Sequence, residues 1–142
     1  MADYRSENAA SLQRLFALLD SLDADKLAHR LPNGWTVADA LTHLAFWDAY
    51  ALSWLRSWQK GETLDDSTNI DTINAAVTVL GRFIPSEAAV QLMRQAAEAV
   101  DHEVESLDQS LAAAIEASGK KHLLFRAWHR NEHLQVLESE LA

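Results

Sequence analysis

Apolar residues recur along this chain at helical intervals. Leu12, Leu15, Phe16, Leu19 and Leu22 fall at i, i+3, i+4, i+7 and i+10 and make one stripe on a first predicted helix over 3–22. Leu31, Pro32, Asn33 and Gly34 then signal a turn, because Pro presets φ and Asn-Gly tolerates positive φ. Thr36 and Asp39 stand at capping-box spacing, with Asp where Glu or Gln is commoner, and open a second helix over 36–58 that stops near Lys60 and Gly61. Residues 61–69 are polar and read as a loop. Thr68 and Asp71 repeat the cap spacing before a shorter helix over 69–82, which Pro85 prevents from continuing. From Ser86, read as a cap, the residues Val90, Met93, Ala97, Val100, Val104, Leu107 and Leu111 alternate steps of three and four. That heptad-like seam predicts a third long helix over 86–117, closed by Gly119, and a fourth follows over 121–140.

Four long amphipathic helices with brief connections predict an all-α fold, a four-helix bundle with one extra short helix in the crossover between helices 2 and 3. The 142 residues suit one domain, and 49% hydrophobic content supplies its core. Four glycines and two prolines are too few for the turns of a sandwich or barrel. The formal charge of −9 and the scatter of the 12 basic residues argue against nucleic acid and against anionic membranes as partners. Without cysteine there is neither a disulfide, nor a thiolate metal ligand, nor a thiol nucleophile, which fits a cytoplasmic protein. The first ten residues, MADYRSENAA, lack the apolar core of a signal peptide.

Candidate chemistry lies in the histidines. His129 and His133 are one turn apart on the fourth helix, sharing a face with Phe125 and Val136, and two imidazoles so placed can converge on one divalent cation. The same pair can also make unrelated hydrogen bonds. Position 130 is Arg, so the zincin motif, which needs Glu there as general base, is excluded. His43 lies deep in the apolar second helix, on a face with Trp47, Tyr50 and Trp54. Alone it reads as a hydrogen-bonded core residue; facing His129 and His133 it becomes the third ligand of a three-His site. His29, His102 and His122 read as ordinary helix-end or exposed residues. Glu132 and Asp39 are the nearest acid/base or ligand-orienting candidates by sequence, although Asp39 also suits its helix cap and Glu132 a solvated surface. Trp47, Trp54 and Trp128 are either packing residues, of core or dimer, or an aromatic wall for a flat apolar substrate.

The stretch from Gly34 and Trp35 through Thr36 and His43-Leu44 to Trp47-Asp48, with the C-terminal His129 and His133, resembles the DinB-like superfamily, which includes the YfiT-like metal-dependent hydrolases and thiol-dependent transferases. The resemblance runs in order along nearly the whole chain. It implies an up-up-down-down four-helix bundle, a divalent metal (Zn, Ni or Fe) on His43, His129 and His133, and frequent homodimers. It implies no single reaction: hydrolysis or thiol transfer on a small electrophile, with a low-molecular-weight thiol as cosubstrate, in detoxification or stress resistance. Asp71, Thr72, Ile73 and Asn74 resemble a recurrent segment before the third helix, which adds Asn74 to the substrate-contact candidates. This detail and Trp47-Asp48 lean toward the ClbS/DfsB-like branch of genotoxin-resistance proteins. The alternative is a non-enzymatic, homodimeric binding or sequestering bundle in which the histidines are structural or vestigial.

Overall fold

The computed structural model describes residues 3–62 and 69–142. Its described residues are helical apart from short connections and one isolated bridge between Arg30 and Thr36. The four long helices are α1 (Tyr4–Asp20), α3 (Val37–Gln59), α5 (Ser86–Ser106) and α7 (Arg126–Leu141). Between them lie α2 (Ala24–Ala28), α4 (Ile70–Gly81), α6 (Gln109–Ala117) and a 3-10 turn over Lys121–Leu123. Helix α5 packs on α3 and α1, and α7 packs on the same two from the other side. The first two long helices are therefore diagonal rather than adjacent, the arrangement of an up-up-down-down bundle. No helix among the described residues is long and apolar enough to cross a membrane.

Local chemistry accounts for most helix ends. Thr36 Oγ1 accepts from Asp39 N–H at 3.1 Å and Asp39 Oδ2 accepts from Thr36 N–H at 3.0 Å, the reciprocal capping box. Gly34, at φ +88°, completes the turn before it. Asn69 caps α4 by accepting from Thr72 N–H at 3.0 Å, while Thr68 lies outside the described residues.

Four expectations need correction. The first helix stops at Asp20, and a separate one-turn helix, α2, follows; Asp23 caps it, accepting from Lys26 N–H at 2.9 Å, and Leu27 anchors it in the core. Ser86 is not a cap: Pro85 occupies that position with no side-chain bond, and Ser86 begins the helix. The third long helix breaks at Leu107, whose backbone is extended, because Asp108 caps a new helix and so turns Ala112 and Ile115 into the core. The fourth opens with a 3-10 turn, and α7 proper begins at Arg126.

The core has two apolar halves. One gathers Leu15, Leu19, Leu41, Leu44, Met93, Ala97, Leu134 and Leu137; the other gathers Trp54, Leu55, Val100, Val104, Ile115, Leu124 and Phe125. Buried polar side chains lie among these apolar ones: Asn8 on α1, His43 and Asp48 on α3, Asp101 on α5, and Arg126 and Arg130 on α7.

Candidate metal centre

Helix α3 presents His43 and α7 presents His129 and His133, one turn apart, toward the same point. The Nε2 atoms of His43 and His129 are 3.1 Å apart. One ring nitrogen from each of the three histidines lies within 4.8 Å of the others. The ring centroids are 4.9–5.1 Å apart. Trp35, just before the capping box, roofs the cluster: its ring is 4.8 Å from that of His43 and near-parallel to that of His133 at 6.4 Å.

Burial sets the protonation state. It pulls His43 down to about 4 and His129 to about 3, helped in each by the neighbouring His133. His133 is also lowered by burial, against the opposing charge of Glu132. The rings are therefore neutral near pH 7, the form that donates a lone pair to a cation. Ligand nitrogens about 2.1 Å from a tetrahedral ion stand about 3.4 Å apart, close to the 3.1 Å of His43 and His129. The donor set thus fits a divalent metal. His43 Nδ1 is buried with no hydrogen-bond partner among the described residues.

The other predicted residues separate. Asp39 spends its carboxylate on the capping box. Glu132 is exposed and touches the cluster only through its field on His133. Trp128 is 45% exposed and stacks on Phe125 at 4.5 Å. Trp47, Trp54 and Asn74 meet around a cavity of about 460 Å³ that opens on His43 and His129. Trp47 Nε1 donates to Asn74 Oδ1 at 2.8 Å, tying α3 to α4. His122, read from sequence as an ordinary helix-end residue, lines this cavity too.

The DinB superfamily pattern matches residues 8–137, across both the His43 segment and the histidine pair. The chain belongs to the DinB superfamily. Comparison with curated proteins and with solved structures finds no match.

In this DinB superfamily member the histidines rest on a charged quartet to which sequence reading assigned no role. Asp48 accepts from Arg126 Nε at 2.9 Å and from Arg130 Nε at 3.2 Å. Arg130 then grips Asp101 with two bonds, 3.0 and 2.6 Å. All four side chains are buried, and Arg130 is fully so. Burial works against the Arg130 charge, but Asp48 and Asp101 outweigh it and raise its pKa. The inward face of α7 thus carries Arg126, His129, Arg130 and His133 at i, i+3, i+4 and i+7. The arginines bind this face to α3 and α5, which sets the rotation of the histidines. The signal available in sequence was this spacing, together with Asp48 and Asp101 on otherwise apolar helix faces.

Proposed function

We propose that this protein is a divalent-metal-dependent enzyme acting on a small electrophile, by hydrolysis or thiol transfer, at His43, His129 and His133. The observation that carries the reading is the convergence of three neutral histidines, His43 buried and His129 and His133 half-buried, beside a cavity with an aromatic wall that His43 and His129 line. A bundle that only sequesters a ligand needs the cavity but not three desolvated imidazoles, one of which, His43, keeps a buried Nδ1 without a partner among the described residues. A divalent cation on three neutral ligands keeps its charge, so that bound water falls toward a pKa of ~7 with zinc and a bound thiol is held as thiolate.

The chain's own residues supply the setting. The capping box sets the start of α3 and hence the height of His43. Trp35 covers the cluster on one side. Trp47, Tyr50 and Trp54 form one wall, and Asn74 steadies Trp47. Detoxification of reactive small molecules is the physiological role that suits such a site, and any thiol must be a cosubstrate, since the chain has none.

The test is metal analysis of untagged protein with and without His129→Ala. Roughly one divalent ion per chain is expected in the parent, and near-zero in the variant with its helix content intact. Chelation should abolish turnover of activated esters or of thiol addition to an electrophile. Stray metal levels in the parent, unchanged by His129→Ala, would overturn the reading.

A further inference from the structure

The cavity has two unlike walls. One is α3, with Trp47, Tyr50 and Trp54 at i, i+3 and i+7, a continuous aromatic face that starts one turn beyond His43. The other is the segment leading into α7, where Lys120, His122 and Arg126 precede His129. The chain carries 21 acidic residues, yet among the described residues no carboxylate lines this cavity.

Arg126 is the distinctive group on the second wall. It is 5% exposed and lines the cavity. Its Nε donates to Asp48 at 2.9 Å and its Nη1 to the His122 carbonyl at 2.9 Å. Two nitrogens of the guanidinium are thus held, and its plane is fixed. Among the described residues Nη2 makes no hydrogen bond, and it is not one of the buried unpartnered atoms, so it keeps access to a ligand. Arg126 stands about 4.5 Å along the helix axis from His129, one turn away. A fixed donor in that position suits an oxygen anion next to the histidine cluster.

We propose that the cavity binds a small carboxylate with a flat apolar body, its carboxylate on Arg126 beside His129 and its body along Trp47, Tyr50 and Trp54. This deepens the enzymatic reading by naming the substrate class, and it rests on that reading only for the chemistry that follows binding. Lys120, whose ammonium lies 4.9 Å from the Trp54 ring centroid, lines the same wall.

The test uses 4-phenylbutyrate and its uncharged analogue 4-phenylbutan-1-ol, titrated calorimetrically into metal-loaded and chelator-treated protein. The acid is expected to bind about tenfold more tightly than the alcohol, the ratio a charge-assisted hydrogen bond carries. Arg126→Gln should erase that preference, read as the ratio of acid to alcohol affinity in the same variant, and circular dichroism checks that the variant is folded. Should Arg126→Gln fail to fold, Arg126→Lys serves: it keeps the charge without the fixed fork and should lose most of the preference. Because the donor is a side chain, the preference should persist after chelation and in His129→Ala. If the protein as purified carries only stray metal yet still prefers the acid, the missing metal sinks the metal reading and leaves this one standing. Preference only in metal-loaded protein, or surviving both Arg126 variants, would overturn the assignment to Arg126. Equal affinity for acid and alcohol, or no binding of either, would overturn the substrate class.

Discussion

Burial keeps His43, His129 and His133 uncharged near neutral pH, and the consequence reaches stability. In metal-free protein the folded pKa values of about 4 and about 3 lie below the ordinary value of 6.5. The unfolded chain binds more protons between those limits, so stability is complete above pH ~6.5 and is lost as pH falls toward 4 and then 3. Each of the two histidines contributes a slope of about 1.4 kcal/mol per pH unit in that window. Denaturant midpoints of chelator-treated protein from pH 7 to 4 should show the fall, and His129→Gln should roughly halve its slope, leaving the share of His43. An unchanged slope in the variant would refute the assignment. Asp48 is the other residue with a large expected effect. Asp48→Asn leaves Arg126 and Arg130 short of a carboxylate in a site where Arg130 has no exposure at all. Breaking a buried pair in this way costs about 3–5 kcal/mol, readable in thermal or urea unfolding.

At the scale of elements, α7 is capped from outside itself. No side chain of its own segment caps its start. Instead Asn8 of α1 donates Nδ2 to the Leu124 carbonyl at 2.8 Å and accepts from Ala127 N–H at 2.9 Å. Asn8→Ala should therefore cost about 1–3 kcal/mol, because two buried backbone groups lose their partner. It should also speed hydrogen exchange at Ala127 more than in α3; uniform acceleration would show that the bond is not local in effect. Helices α3 and α4 are held by contact of another kind. A Cβ at Gly81 would come within 3.2 Å of Thr42 Cγ2, so α4 approaches closely at that point. Gly81→Val should push α4 off α3 and disturb the Trp47 to Asn74 bond, reported by a red shift of tryptophan fluorescence.

For the whole molecule, α4 raises the question of assembly. It buries only Val77 and Gly81 and turns Val79 and Leu80 outward, with Phe83 just beyond its end at 82% exposure. Exposed apolar residues in a row mark an interaction surface, and we propose that a second copy of the chain covers this one. Sedimentation across a wide concentration range should find a dimer, with Phe83→Glu shifting it to monomer; a parent that stays monomeric refutes the proposal. The helical bundle itself was legible in the chain, because apolar spacing, caps and a scarcity of turn residues are local signals that one strand of sequence carries. The i,i+4 spacing of His129 and His133 was legible for the same reason. Breaks at Asp20 and Leu107 were not, since each depends on what a following segment can bury against distant helices. Nor was the convergence of His43 on that pair a matter of spacing: 86 residues separate His43 from His129. Only packing placed them within reach, and only the buried bonds among Asp48, Asp101, Arg126 and Arg130 fixed the helix rotation that keeps them there. Local patterns set which elements form, whereas charge pairing inside a core depends on which elements meet.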